Sequence, residues 1–179
     1  MTGRAQLLLL STLLLWTQGS AAAVPPGYRL VAEAEGVPAS VLYAVALAES
    51  GITLESGRRR PWPWSLNVEG RAHRYATRAD AWRALRGFLA RGVTRIDVGP
   101  MQVSWRYHRE ALGDPWSALD PYHNLRVGAA ILRAEHRRAR DWWKAVGRYH
   151  SPNNAKRASR YRSRVATWYR RIAREGLAG

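Results

Sequence analysis

Glu49 is the residue of this sequence whose type and position best suit acid–base chemistry. It follows the apolar pair Val45 and Ala46 by three to four residues, so a helical period places its carboxyl on the apolar side of a helix, near the C-terminal end. Burial against apolar groups raises the pKa of a carboxyl, and a general acid working near neutral pH must hold its proton. Glu49 is therefore a candidate general acid, although the helical period alone does not single it out.

Two other acids fit parts of the same argument. Glu135 also lies three to four residues beyond apolar positions, but Arg138 follows one helical turn later, and this spacing favours a structural ion pair. Asp97 lies close to a Gly-Pro turn, where it could position a water molecule or cap the turn. The sequence leaves both roles of Asp97 open.

Several other catalytic classes lack the residues that they need. The chain contains no cysteine, which excludes disulfides, thiolate zinc sites and cysteine nucleophiles. Its histidines show no H-E-x-x-H motif, and its glycines form neither a phosphate-binding loop nor a dinucleotide fingerprint. Ser151 follows His150 without a G-x-S-x-G motif, so we expect both residues in a loop that walls the site. We expect no metal and no cofactor.

The elements that must position these acids are mostly helices. Residues 52–76 are the exception, because the Pro-Trp-Pro-Trp run at 61–64 forbids a helix, and 65–68 and 72–75 flank a turn like a small hairpin. The sequence predicts a single, mainly α-helical domain with a small extended or β-hairpin insertion, and a turn at 97–103. Helical periods and caps predict helices at 28–35, from Pro38 to Ser50, from Thr77 to Gly92, at 104–112, from Asp120, from Asp141, and along the face Tyr161, Val165, Trp168 and Ile172.

The first 23 residues have the composition of a secretory signal peptide. Arg4 supplies a positive start, residues 7–15 are almost all apolar, and residues 20–23 are small. The apolar run is shorter than the ~20 residues that a membrane-spanning helix needs. We expect a signal peptide at 1–23 and an exported domain at 24–179 without a further membrane span.

The charge balance is strongly basic. The chain has 29 Lys and Arg against 13 Asp and Glu, which gives a net charge of +16. Such a field attracts anions such as nucleic acid, a membrane surface or an envelope polymer, and export disfavours nucleic acid as the partner. The arginines are dense toward the end of the chain and mark an Arg-rich C-terminal helix at about 155–175. That helix has either a solvated face or a surface for an anionic wall.

Four segments, in this order along the chain, carry a resemblance to a known family. The segments are Ala-Leu-Ala-Glu-Ser at 46–50, Asp-Val-Gly-Pro-Met-Gln-Val at 97–103, Leu-Asp-Pro-Tyr-His-Asn-Leu-Arg-Val-Gly at 119–128, and Gly-Arg-Tyr-His at 147–150. Together they resemble the soluble-lytic-transglycosylase (SLT) domains of the lysozyme-like superfamily, over residues 24–154. The sequence departs from the family pattern at Pro100, where Leu is common, and at His150, where Asn is more usual.

The resemblance implies a goose-type, lysozyme-like helical fold and cleavage of peptidoglycan glycan strands. Glu49 would protonate the glycosidic oxygen between N-acetylmuramic acid and N-acetylglucosamine, while the substrate's 2-acetamido group stabilises the developing positive centre. Glu49 would then accept the proton of the muramic C6 hydroxyl, which closes a 1,6-anhydro ring without water. An exported enzyme of this kind acts in the periplasm or at the cell wall.

The resemblance also implies a set of substrate-binding residues. Met101 and Gln102 would line the groove, Tyr149 would hydrogen-bond near the acid or the acetamido group, and Ser50 would orient the acid or a sugar. The structural alternatives are core packing for Met101 and Tyr149 and a helix-start role for Asn124. The full predicted set is Ser50, Trp64, Met101, Gln102, Asn124 and Tyr149.

Trp62 and Trp64 lie between prolines and have two interpretations. They could stack on sugar rings or close a small core under the extended insertion. With the adjoining Ser-Leu-Asn at 65–67, they resemble the small transglycosylases found with conjugation and specialised secretion systems. The expected partners are therefore peptidoglycan glycan strands and, through this second resemblance, the proteins of such an apparatus.

Two other functions remain open at this point. One is a goose-type lysozyme-like hydrolase, in which water replaces the C6 hydroxyl as the attacking group. The other is a non-catalytic, basic wall-binding protein in which Glu49 is a buried structural acid.

Overall fold

The computed structural model describes residues 24–177, with side chains through Arg174. The predicted signal peptide at 1–23 lies outside these residues. The described elements, in chain order, are α1 Pro26–Glu35, α2 Ala39–Ser50, β1 Gly51–Thr53, β2 Arg59–Pro61, β3 Ser65–Val68, β4 Arg71–Arg74, α3 Arg78–Ala90, β5 Ile96–Val98, β6 Val103–Ser104, α4 Trp105–Leu112, α5 Pro115–Ala118, α6 Pro121–Ala139, α7 Trp142–His150 and α8 Ala155–Leu177. The predicted mainly α-helical class with a β-hairpin insertion is confirmed.

Helix α2 is the centre of the core. Every residue from 41 to 47 is buried, so the helix is covered on all sides, as expected for a segment that is apolar all round. Helices α1 and α8 and strands β1 and β2 pack against it. The core helix therefore carries its last turn, with Glu49 and Ser50, to the place where these elements meet.

Side-chain caps fix where three of the helices begin. Thr77 accepts a hydrogen bond from the backbone N–H of Asp80, Asp120 from that of His123, and Asp141 from that of Lys144, at 3.1, 2.9 and 2.7 Å. Each bond satisfies an N–H group that has no partner within its helix. These three starts are confirmed as the sequence predicts them.

The small sheets lie between α2 and α4. Strands β1 and β2 form one antiparallel pair, and the second sheet has the order β4-β3-β5-β6. The β3–β4 hairpin is confirmed, and its turn uses Glu69 and Gly70, both with positive φ, as a two-residue hairpin turn requires. The predicted turn at 97–103 is wrong at its two ends, which belong to strands β5 and β6. These two strands pair with each other, and β5 also pairs with β3.

No single helix among the described residues has the length and apolar composition to cross a membrane. Helices α1 and α2 reach that length and composition only as a pair, and they meet at a bend of 117°.

Gly51 gives a test of how tightly the end of α2 is packed. A Cβ atom there would lie 2.4 Å from the carbonyl oxygen of Leu47 and 2.8 Å from Nε of Arg59. Because a backbone atom cannot move aside, we expect Gly51→Ala to lower the free energy of unfolding by about 2 kcal/mol. Denaturant unfolding followed by circular dichroism measures this.

The matched control is Gly87→Ala in the middle of α3. Its nearest neighbour would be Nη1 of Arg91 at 3.5 Å, an ordinary contact, so the change should raise the free energy of unfolding by up to about 1 kcal/mol through helix propensity. Equal stability of Gly51→Ala and the wild type would contradict the packing described for the end of α2.

Candidate active site

Glu49 lies in the last turn of α2 with its side chain only 12% exposed. The groups that act on its carboxyl come from three other elements of the fold. The end of α7 supplies Tyr149 and His150, α8 supplies Tyr161 and Arg164, and β5 supplies Asp97. Helices α7 and α8 and strand β5 therefore surround the Glu49 carboxyl.

Burial raises the pKa of the Glu49 carboxyl from its usual value of 4.5 to about 7. The Tyr161 hydroxyl and the positive charge of Arg164 oppose this rise, because both favour the carboxylate, while the negative charge of Asp97 adds to it. Near neutral pH, both the acid and the carboxylate are therefore present. A group with that balance can donate a proton in one step and accept one in the next.

Tyr161 is buried, and its hydroxyl acts directly on the Glu49 carboxyl. The residue is 3% exposed, and its hydroxyl approaches Glu49 without the geometry of a full hydrogen bond to any described residue. Burial and the nearby Glu49 raise the pKa of Tyr161 well above its usual range, so the hydroxyl keeps its proton. It is available as a donor to the carboxylate that forms when Glu49 releases its proton.

His150 lies beside Glu49 but does not form an ion pair with it at neutral pH. Nδ1 of His150 is 3.9 Å from Oε1 of Glu49, and the imidazole stacks on the Tyr161 ring at 4.5 Å with the planes parallel to within 1°. Burial, Arg164 and Arg157 all lower the pKa of the imidazole. A neutral His150 therefore walls the carboxyl as expected, but from the last position of α7 and not from a loop.

The segment that follows β5 is tied to the end of α2. The Ser50 hydroxyl donates a hydrogen bond to the Pro100 carbonyl at 2.8 Å, and the Tyr149 hydroxyl donates one to the Met101 carbonyl at 2.7 Å. Ser50 follows Glu49 in the chain, and Tyr149 lies close to it on α7. The segment is therefore fixed to the same two helices that hold the acid.

Asn124 on α6 holds the same segment. Its Oδ1 accepts a hydrogen bond from the Met101 N–H at 3.0 Å, and its Nδ2 donates to the carbonyls of Val98 at 2.9 Å and Ala118 at 3.2 Å. Gly99 has φ +78°, and a Cβ there would lie 2.5 Å from the Asn124 side chain, so the contact requires glycine. The asparagine thus sets the path of the backbone.

Three of the predicted substrate-binding residues are buried. Ser50 is 3% exposed, and Met101 and Asn124 are 0% exposed, so none of the three side chains offers surface to a sugar. The polar groups of Ser50 and Asn124 form hydrogen bonds with backbone groups, and Met101 packs against Gly128. This burial agrees with the helix-start alternative for Asn124 and the packing alternative for Met101, and the contacts of the three residues with substrate stay predictions.

Gln102 and Tyr149 remain half-buried at the site. Gln102 has φ +46°, and its Nε2 donates to the Gly99 carbonyl at 2.8 Å and to the Ser65 carbonyl at 3.3 Å. Tyr149 is close enough to Glu49 for that carboxyl to add to the effect of burial, and together they raise the pKa of Tyr149 well above its usual range. Their proposed contacts with substrate stay predictions.

Trp64 is not brought to the acid. It packs partly buried against the core, with its ring edge-on to that of Trp62 at 6.1 Å. Both rings line a cavity of about 350 Å³ that also touches Pro100 and Tyr122 but not Glu49. A sugar-stacking role for Trp64 stays a prediction.

The structure contradicts the turn-capping role predicted for Asp97 and confirms the ion pair predicted for Glu135. Asp97 lies within β5 and accepts a hydrogen bond from Ser104, so the turn-capping role is wrong. Burial raises its pKa, against the effect of Ser104 and Arg95. Glu135 forms the predicted ion pair with Arg138 at 2.5 Å, and a second with Arg148, which confirms its structural role.

Tyr161 and Arg164 are not among the site residues predicted from the sequence. The helical period places Tyr161 on the buried face of the last helix, and Arg164 lies in a run of arginines whose default interpretation is a solvated face. The available signal was the hydroxyl of Tyr161 on an otherwise apolar face, because a buried hydroxyl needs a partner. No group of His, Asp and Glu among residues 24–177 is arranged to hold a metal ion.

A mainly helical domain with a buried carboxyl of raised pKa at the end of its core helix, beside two tyrosines, is consistent with the lysozyme-like class of glycan-cleaving proteins. A family model described as the transglycosylase SLT domain matches residues 29–170. The chain belongs to that family, as the resemblance of the four segments predicts. Searches of curated proteins and of solved structures found no match. The family indicates peptidoglycan cleavage of the lytic-transglycosylase type.

The charges around Glu49 predict how its titration responds to mutation. The rate at limiting substrate should fall as pH rises through about 7, because the acid loses its proton. Arg164→Gln removes a cation that favours the carboxylate and should move this fall to higher pH, while Asp97→Asn should move it to lower pH. The measurement is kcat/KM for cleavage of a soluble glycan against pH.

The matched control is Arg160→Gln, an exposed arginine one turn earlier on α8. It changes the net charge by the same amount and should leave the fall in place. A shift of equal size in the Arg160 and Arg164 variants would show that net charge, and not the local contact, sets the pKa.

Proposed function

We propose that the chain is an exported lytic transglycosylase that cleaves the β-1,4 bond between N-acetylmuramic acid and N-acetylglucosamine without water. The observation that carries the proposal is the single Glu49 carboxyl with a pKa of about 7, in a domain of the SLT family. A reaction that uses one group first as acid and then as base needs a pKa near the working pH.

The first step of this mechanism uses the protonated form. Glu49 donates its proton to the glycosidic oxygen, and the bond to the muramic C1 breaks with the 2-acetamido oxygen stabilising the positive centre. The carboxylate that remains is stabilised by the charge of Arg164 and the hydroxyl of Tyr161, the two groups that lower the pKa of Glu49. These two residues therefore favour proton release.

The second step uses the carboxylate. Glu49 accepts the proton of the muramic C6 hydroxyl as that oxygen bonds to C1, and a 1,6-anhydro ring forms. The proton balance closes, since the acid is regenerated and no water enters. Burial supports this step, because a desolvated carboxylate regains its proton readily.

A hydrolase is the second candidate, and one observation favours it. Asp97 lies close enough to Glu49 to affect the pKa of its carboxyl, so a second acid is present to position water. The hydrogen bond from Ser104 occupies part of that carboxylate. We therefore place the hydrolase after the transglycosylase.

We also propose that the enzyme works in the periplasm or at the cell wall, where it opens the wall locally for a conjugation or secretion apparatus. The support is the signal-like composition of residues 1–23 and the resemblance of the segment around Trp62 and Trp64 to transglycosylases of such systems. A non-catalytic wall-binding role is less favoured, because a structural acid gains nothing from burial without an ion pair.

The experiment that tests the reaction is mass spectrometry of purified sacculi after digestion. The wild type should release muropeptides with 1,6-anhydro ends, one water lighter than reducing ends. Glu49→Gln, which keeps the size of the side chain and removes the acid, should release none while still binding the sacculi. Products with reducing ends only would make the protein a hydrolase, and lysis by Glu49→Gln would overturn the role of the acid.

A further inference from the structure

A second cavity lies between the β1–β2 hairpin, α2 and the C-terminal part of α8, and it is separate from the acid. Its volume is about 780 Å³, and neither Glu49 nor any group that acts on it lines the cavity. Four of the lining residues are arginines, and none is Asp or Glu. The arginines are Arg58, Arg59, Arg60 and Arg171. The cavity is thus strongly cationic and plays no part in the mechanism above.

Arg59 is held in a fixed position at the wall of this cavity. Its Nη2 donates a hydrogen bond to the Gly51 carbonyl at 2.6 Å, and its guanidinium lies over the Trp168 ring, 4.8 Å from the centroid. Arg60 lies over the ring of Trp62 at 5.6 Å. A guanidinium that is already ordered loses less entropy when it binds an anion.

The three hairpin arginines have no carboxylate partner in the described part of the chain. Other arginines do form salt bridges there, to Asp80, Asp120, Glu35 and Glu135. Arginines gathered around one cavity repel one another unless an anion lies between them. A guanidinium pairs best with a planar carboxylate or with phosphate, through two parallel hydrogen bonds.

The shape and the remaining walls decide between those two anions. The cavity is concave and lined by apolar side chains such as Leu47, Leu54 and Ile172, so it accepts a chain end with small apolar groups. Its volume lies in the range of ligand sites, ~300–1,000 Å³. The phosphates of a bilayer lie in a broad surface, which does not enter a cavity. The walls therefore favour a peptide carboxylate.

We propose that this cavity binds the free carboxyl end of an uncross-linked peptide stem, on the polymer whose glycan strand Glu49 cuts. The identity of the polymer rests on the proposed function, whereas the preference for an anionic peptide end rests on the cavity alone. Binding there holds the enzyme on wall regions whose stems are not cross-linked.

The experiment measures binding of a synthetic stem peptide that ends in D-alanine, by calorimetry at low and high salt. The same peptide with a C-terminal amide is the matched probe. We expect the amide to bind about tenfold more weakly, and the double variant Arg58→Gln/Arg60→Gln to lose about tenfold in affinity for the acid. The control variant, Arg106→Gln/Arg109→Gln on α4, removes the same charge from exposed positions outside the cavity and should bind as the wild type does.

Kinetics separate this proposal from the proposed function. On sacculi, Arg58→Gln/Arg60→Gln should raise KM and leave kcat unchanged, while on glycan strands stripped of peptide it should match the wild type. Equal affinity for acid and amide, equal loss in the control variant, or binding of anionic phospholipid vesicles without binding of the peptide would each overturn the peptide site. Absence of cleavage by the wild type would refute the proposed function and leave the peptide-binding result to stand by itself.

Discussion

The desolvation of one carboxyl is the constraint on which the site depends. Helix α2 is apolar on all sides, so its burial carries Glu49 out of water at the last turn. The cost of a buried charge raises the pKa of the carboxyl to about 7, and Tyr161 and Arg164 keep it from rising further. The same packing that stabilises the core thus sets the proton affinity of the acid.

The second element of the site is a backbone segment held at both sides. Ser50 and Tyr149 tie the carbonyls of Pro100 and Met101 to the helices that carry and face the acid, and Asn124 holds the N–H of Met101 from α6. Ser50 and Asn124 are themselves shielded from solvent, and Tyr149 is half-buried. In the structure these bonds position the backbone at 100–101 beside the acid.

Much of the helical framework could be predicted from the sequence, because caps such as Thr77 and Asp120 act locally. Helical spacing also places Glu49 on a buried face, but Glu135 has the same spacing, and it is the resemblance of the four segments that singles out Glu49. Strands β5 and β6 could not be predicted, because two or three residues are too few to show a period. Their pairing also depends on residues far away in the sequence. Tyr161 and Arg164 were missed because a period shows which face is buried, but not which group that face meets.

The site can work as described only if the Glu49 carboxyl keeps a substantial protonated fraction near neutral pH. A direct measurement is carbon-13 NMR titration of the glutamate side-chain carboxyls in the full-length protein, with Glu49→Gln used to assign the resonance. We expect a midpoint near pH 7 for this one carboxyl. A midpoint near 4.5, the usual value for glutamate, would contradict it, because Glu49 would then be a carboxylate at neutral pH and could not act as the acid.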